Sequence, residues 1–300
     1  MNPQITNFQQ MVDIVKSRAM KTIVVAAAAE EDVLAATVRA KQEGLAQFVY
    51  VGDADAIRRL ASEHGLDISG IDLVNKPDIW ESGKRAIELI KAGRGEALMK
   101  GQIGSSQLLG MLLKDEDLKA CYGRRFVSHV ALFEWEGRLK IFSDAGLNIA
   151  PDTEQKRSIA LNAIAVAKKL GMTAPRVAFL SAAEKVNPKM PSSVEAAELA
   201  EMEWENGVIV GGPLAFDGAM FEKAYEIKGV PSPVEGKADI LICPNIETGN
   251  VLYKTLAWML KPEMAGIITG AAVPFILTSR ADSARVKFLS IAATLFLSSE

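Results

Sequence analysis

Histidine and cysteine are scarce here: His64 and His129 are the only histidines, and Cys121 and Cys243 the only cysteines. Two cysteines in 300 residues argue against a disulfide framework, and two histidines cannot build a multi-histidine metal centre. No run of carboxylates has the spacing of a magnesium or calcium loop. Nor is there a surplus of one charge: 34 basic residues stand against 37 acidic ones, a net of −3. That excludes a broad nucleic-acid surface, which needs a positive excess, but leaves room for a local basic pocket. Long apolar runs are absent as well. Thr22 to Ala29 is among the longest and has the length of a buried strand, not of a membrane span. Asp13 and Lys16 interrupt the apolar pattern of the first twenty residues, so no signal-peptide core is visible. The expectation is a soluble, cytoplasmic protein with no membrane and no nucleic-acid partner.

About half of the residues are apolar (49%), enough for a sizeable core, and they are patterned. Ile5, Phe8, Met11, Val12 and Val15 recur at helical spacing. Short apolar runs then alternate with amphipathic stretches. Strands are expected at Thr22–Ala28, Phe48–Val51, Ile71–Val74 and Ala97–Lys100, with helices at Glu31–Glu43, Ala54–His64 and Ile79–Lys91 between them. Runs buried on both faces and alternating with helices imply an α/β fold with a mostly parallel sheet, which takes ligands at the carboxyl ends of its strands. The rhythm breaks near Phe126. Val130–Trp135 and Leu139–Phe142 predict a hairpin turning at Glu136-Gly137, which marks a seam between two α/β domains. Alternation then resumes, with helices at Thr153–Leu170, Ser193–Glu205, Phe216–Ile227, Gly249–Met259 and Ala284–Leu297. Strands are expected at Val177–Leu180, Val208–Val210, Ile240–Cys243, Ala265–Thr269 and Phe275–Thr278.

Four segments carry residue types suited to chemistry. In Pro274–Ser283 a strand runs into a polar turn and a helix. Asp282 or Ser283 can cap that helix, and its first N–H groups and Arg280 together suit a phosphate; an ordinary cap with a surface arginine is the other reading. In Lys100–Ser106, Gly101 allows close backbone approach and Ser105 or Ser106 can cap the next helix. The pattern is neither a Walker loop nor a dinucleotide fingerprint, and a plain tight turn fits it equally. Asp144 and Asn148 follow the hairpin and suit a base and a hydrogen-bond donor, although turn formation accounts for such residues more often. Asn250 and Lys254 are four apart and share a helix face. His129, Cys121 and Cys243 read as core residues.

Taken together and in order, these segments resemble one family. Phe126-Val127-Ser128-His129, Ser143-Asp144-Ala145 with Asn148, Glu184-Lys185-Val186-Asn187-Pro188, Gly212-Pro213-Leu214-Ala215, Gly249-Asn250 with Tyr253-Lys254, and Thr278-Ser279-Arg280-Ala281-Asp282-Ser283 are similar to the phosphate acetyl/butyryltransferase family, closest to its butyryl branch. The match runs from about Thr22 onward. The resemblance implies two doubly wound α/β domains with a ligand cleft between them, of the isocitrate/isopropylmalate dehydrogenase type, and a final helix that returns to the first domain. The implied domains are residues 1–129 plus 268–300, and 130–267. It further implies a homo-oligomer built on a dimer, and reversible transfer of a short acyl group (butyryl or acetyl) between coenzyme A and phosphate. Acyl-CoA, phosphate and acyl phosphate would be substrates, with no metal or redox cofactor. On this reading Ser279, Arg280, Asp282 and Asp144 are catalytic, and Gly101, Ser105, Ser106, Asn148, Asn250 and Lys254 bind substrate. In the direction that starts from acyl phosphate, the CoA thiol loses its proton and attacks the acyl carbonyl, so a base is wanted. The acetyl branch places an aspartate seven residues beyond the serine. Here that position is Val286, and Asp282 and Asp144 are substitutes suggested in its stead. The missing acid keeps a non-catalytic acyl-CoA or acyl-phosphate binding module in view as the alternative.

Overall fold

The computed structural model describes residues 4–118 and 126–298, so Cys121 lies outside the described residues. The chain divides into two compact units. One begins at Phe8, is left before Phe126 and is re-entered at Glu263; the other holds Phe126–Pro262 together with the segment ending at Asn7.

The unit that begins at Phe8 holds β1 (Lys21–Ala26), β2 (Ala46–Gly52), β3 (Asp72–Asn75) and β4 (Ala97–Lys100). The second unit supplies β5 (Ser128–Trp135), β6 (Arg138–Ser143), β7 (Arg176–Leu180), β8 (Ile209–Leu214) and β9 (Ile240–Ile242). The chain then returns with β10 (Met264–Thr269) and β11 (Phe275–Ile276). In the first unit the order is β3-β2-β1-β4-β11-β10, parallel except for β10 against β11. The chain steps outward from β1 to β2 and β3, then crosses back to lay β4 on the other side of β1. That reversal opens a crevice at the carboxyl ends of β1 and β4, the usual ligand position in open α/β sheets. The closing helix, Ala284–Leu297, buries every residue from Val286 to Phe296. A helix apolar on all sides belongs in a core, and it packs against Phe8–Lys16, Glu31–Gln42 and β10.

In the second unit the order is β5-β6-β9-β7-β8, with only β5 and β6 antiparallel. Their turn holds Glu136 at φ 48° and Gly137 at φ 73°, the two positive values that a two-residue hairpin of the I′ type needs.

Several expected boundaries move. The helix expected at Ser193–Glu205 is Pro191–Glu201, with proline in its first turn; beyond it Trp204 Nε1 donates to Leu199 O at 2.9 Å. The strand expected at Val208–Val210 runs from Ile209 to Leu214, through two glycines and a proline. A Cβ on Gly212 would lie 2.9 Å from Ala196 O, so glycine admits the neighbouring helix there. The helix expected at Phe216–Ile227 is two short ones, Phe216–Met220 and Glu222–Lys228, broken where Phe221 turns extended. The helix expected from Gly249 begins earlier, at Ile246, and after Thr255 passes into a wider π-type turn, Leu256–Leu260. The expected strand Phe275–Thr278 keeps only its first two residues.

Candidate active site

In the first unit, charged side chains gather at the crevice between β1 and β4. Lys100 ends β4 and is 3% exposed; Lys287, on the closing helix, is 1% exposed. Lys100 donates to Gly101 O at 2.8 Å. Lys287 donates to the carbonyl of Asp282 and pairs with Glu30 at 3.0 Å. Glu30 stands where the cap of helix Glu31–Gln42 would be, yet makes no cap; its carboxylate is given to Lys287 instead. Burying ammonium groups is costly unless they are paired. For Lys100 the cost shows as a pKa lowered to about 8: burial pulls it down, Glu30 pulls it back up, Lys287 and Arg280 push it down, and Asp282 raises it. Three cations thus face two carboxylates, a balance that favours an incoming anion.

Above this cluster the chain leaves β11 through Thr278, Ser279, Arg280 and Asp282. Ser283, not Asp282, caps the closing helix, accepting from Val286 N at 3.3 Å. Asp282 is 2% exposed and accepts from Ser279 N at 2.7 Å, which fixes the turn that carries Ser279 and Arg280. Asp32 Oδ1 accepts from Ala284 N at 3.0 Å, tying the start of the closing helix to helix Glu31–Gln42. Arg280 is exposed and Ser279 half-buried. Thr278 is 1% exposed and its hydroxyl has no hydrogen-bond partner among the described residues. Groups of that kind concentrate where a ligand or water completes them.

Gly101 does not offer its amide to a ligand. Its N–H is bonded to Ala26 O at 2.8 Å and that of Gln102 to Ala27 O at 2.7 Å, continuing the β1–β4 pairing. The glycine is needed because a Cβ there would stand 2.1 Å from Ala27 O. Substrate binding by Gly101 is therefore corrected to a packing role that sets the position of Lys100. Ser105 and Ser106 are not caps either. They are the first two residues of helix Ser105–Lys114, whose cap position is Gly104, with Gln107 Oε1 accepting from Gly104 N at 3.1 Å.

The second unit has its own polar cluster where β6 and β9 end. Asp144 is 2% exposed, and its carboxylate accepts from His129 N (3.0 Å), Gly146 N (2.7 Å), Leu147 N (2.8 Å) and Asn148 Nδ2 (2.6 Å). A carboxylate so engaged has no ready lone pair for a thiol proton. The expectation that Asp144 acts as base is corrected: it shapes the loop and orients Asn148, which also donates to Val127 O at 3.1 Å. Helix Ile246–Thr255 meets that loop at Gly249, where a Cβ would lie 2.0 Å from Asp144 O. One residue on, Asn250 is exposed and its amide lies 3.5 Å from Ala145 O. Lys254 is half-buried, with its ammonium 5.5 Å from the Tyr253 ring centre. The structure thus brings Asp144, Asn148, Asn250 and Lys254 to one edge of this unit, and Ser279, Arg280 and Asp282 to one edge of the other. His129 is buried, its ring 5.8 Å from that of Tyr253. Cys243 is buried and its thiol is pushed up to about 12, by desolvation first and by the charge of Asp144 second, so it is unreactive.

Glu30, Lys287 and the ammonium of Lys100 escaped the sequence reading. Their signal was a single charge embedded in, or closing, an otherwise apolar run: Ala97-Leu98-Met99-Lys100, and Lys287 beside Phe288-Leu289. Among the described residues no group of three or more His, Cys, Asp or Glu could hold a metal ion, and no helix is long and apolar enough to cross a membrane.

A family model described as phosphate acetyl/butaryl transferase matches residues 7–84 and 79–295. The chain is 40% identical over 294 residues to a phosphate butyryltransferase of Clostridium acetobutylicum, covering 96% of this chain and 97% of that one. It is 38% identical over 295 residues to a phosphate acetyltransferase of Rhizobium meliloti, covering 96% and 92%. Among solved structures it is similar to a branched-chain phosphotransacylase from Enterococcus faecalis V583, with a TM-score of 0.80 and 34% identity, covering 94% of this chain and all (100%) of that one. Sequence and fold agree along nearly the whole length, and the chain belongs to the phosphate acetyl/butaryl transferase family.

Proposed function

We propose that this protein reversibly transfers a short acyl group, butyryl or acetyl, between coenzyme A and inorganic phosphate. The observation that carries the reading is the family match along almost the entire chain, joined to a cationic crevice at the carboxyl ends of β1, β4 and β11. Phosphate attacks the thioester carbonyl, the carbon–sulfur bond breaks, and acyl phosphate and free CoA leave. Arg280 would grip phosphate, a planar guanidinium being suited to it, while Asp32 and Ser283 already take the Ala284 and Val286 amides at the start of the closing helix. The Ser279 hydroxyl would donate to the acyl or phosphate oxygen as charge develops there. Asp282 would act by holding that turn. In the other unit Asn250 and Lys254 would supply donors for the substrate, and Asn148, whose amide hydrogens go to Asp144 and Val127 O, would offer its side-chain oxygen; Ser105 and Ser106 would donate in the first. No activated nucleophile stands among these residues, which supports direct transfer without an acyl-enzyme.

The two compact units support a reading as two domains of the isocitrate/isopropylmalate dehydrogenase type, each a doubly wound sheet. We take the protein to be cytoplasmic and a homo-oligomer built on a dimer. Val251, Trp258, Met259 and Leu260, 65%, 58%, 78% and 60% exposed along one stretch of chain, support the assembly, since exposed apolar patches mark interfaces. The test of function is phosphate-dependent thiol release from a panel of acyl-CoAs, acetyl to valeryl. Release that requires phosphate is expected with at least one of them, and its absence across the panel would overturn the reading.

A further inference from the structure

The acyl transfer needs a group that gives a proton to sulfur in one direction and takes it in the other, and the two aspartates suggested by sequence already have structural duties. Asp144 is held by four donors, Asp282 is engaged with the Ser279 amide, and the first turn of the closing helix offers Val286. Three observations converge on a different residue. Lys100 ends β4 at the crevice where the strand order reverses, one strand from the loop that carries Ser279 and Arg280. Its backbone is fixed by the pairing of Gly101 and Gln102 with Ala26 and Ala27. Its side chain is buried, and the charged groups that face it come from every element around the crevice: Glu30 after β1, Arg280 and Asp282 after β11, and Lys287 on the closing helix.

We propose that Lys100 is the residue that exchanges a proton with the thiol of coenzyme A. In the thioester direction a phosphate oxygen bonds to the carbonyl carbon, and the carbon–sulfur electron pair passes to sulfur. The Lys100 ammonium protonates that sulfur, and the neutral amine then regains a proton from water. In the other direction the neutral amine takes the thiol proton while the thiolate displaces phosphate from the acyl carbon. Burial first, then Lys287 and Arg280, bring the ammonium down to about 8, against the pull of Glu30 and Asp282. That lies close to the ordinary thiol value of about 8.5, the match that lets one group serve both directions. Lys287 is held in an ion pair with Glu30 and a bond to Asp282 O, and is the buried cation that keeps Glu30 balanced when Lys100 is neutral.

The inference rests on the acyltransferase reading, and the experiment separates the two. kcat/KM is measured in the thioester direction across pH 6.5–10, where no free thiol is present in the substrates to titrate on its own account. The wild-type profile is expected to fall about tenfold per pH unit above about 8, as the ammonium is lost. Lys100→Met is expected to lose about 100-fold or more and to lose that falling limb. Its fold should persist, because Glu30 keeps Lys287 as its partner, and circular dichroism and a melting curve check this. Glu30→Gln, which removes the attraction that raises the Lys100 value, is expected to move the limb to lower pH. A lysine that only supports the crevice would scale the rate without moving the limb. If Lys100→Met is folded and keeps either the wild-type rate or the falling limb, the proton role is overturned while the acyltransferase reading stands. If the wild type releases no thiol in a phosphate-dependent way, both are overturned together.

Discussion

Arg280 and Asp144 lie at opposite poles of what a charged side chain can do. Arg280 is exposed, in a turn whose geometry is held by Asp282 rather than by itself. Its replacement should therefore cost function and little stability. Arg280→Ala is expected to lower kcat/KM by about 100-fold or more, as loss of a charge-stabilising donor does, with the melting temperature within a few degrees of wild type. Steady-state kinetics over a phosphate series and a thermal melt check both halves. Asp144 is the reverse case. Its buried carboxylate satisfies three backbone amides and the Asn148 side chain. Asp144→Ala leaves those donors unpaired, at about 1–3 kcal/mol for each one that water cannot reach, so a loss of about 3 kcal/mol or more is expected in urea unfolding. A stability within about 1 kcal/mol of wild type would show that the loop does not depend on this carboxylate.

Elements whose boundaries are set by local chemistry were legible; those set by what packs against them were not. Ala284–Leu297 matches its expected bounds, because Ser283 supplies a cap and the apolar stretch continues without a breaker. The hairpin turned where glycine permits it, at Glu136-Gly137. By contrast β8 runs through Gly211, Gly212 and Pro213, residues that read as a strand's end, yet Gly212 stands where the Pro191–Glu201 helix comes close and Gly211 where Ser232 and Val234 do. In the site, the Ser279-Arg280 turn and the Asp144 loop were visible as motifs. The convergence of Glu30, Lys100 and Lys287 was not, since these are far apart in the chain and only the β3-β2-β1-β4-β11 order and the returning helix bring them together. Gly249 gives the element-scale prediction. Placed on the helix that meets the Asp144 loop, its Cβ would come 2.0 Å from Asp144 O, and backbone cannot yield as a flexible side chain does. Gly249→Ala should destabilise by about 1–3 kcal/mol or more and displace Asn250 and Lys254, which follow on the same helix. Gly110, inside helix Ser105–Lys114, is the internal control, with nothing within 4 Å of an added Cβ. Gly110→Ala should stabilise by about 0.5–1 kcal/mol, through helix propensity alone. Equilibrium unfolding of the two variants side by side tests the contrast, and equal effects would refute it.

For the molecule as a whole, exposed ion pairs decide little. Pairs such as Arg58 with Asp55 and Lys84 with Glu81 are exposed neighbours on one helix, each contributing a few tenths of a kcal/mol. The buried Lys100 is different, because its charge must be taken from water whenever the protein folds at neutral pH. Its value is about 8 folded against 10.5 for the free side chain, a gap corresponding to about 3 kcal/mol. The folded value is the lower one, so the sign is that of a cost. Below pH 8 both states hold the proton and the full penalty applies. Between about 8 and 10.5 the unfolded chain binds more protons than the folded one, so stability rises with pH on this account. Above that window the amine is neutral in both states and the penalty is gone. Lys100→Met never bears it. The stability advantage of the variant over wild type should therefore be largest below pH 8 and shrink by about 3 kcal/mol by pH 10.5. Tyr50 and Cys243, both held up to about 12 chiefly by burial, titrate in both proteins and drop out of the difference. Urea unfolding of the pair at intervals from pH 7 to 10.5 reads this directly. A difference that stays level across the range would mean that Lys100 meets water when folded, and the strain that tunes it toward a thiol would then be absent.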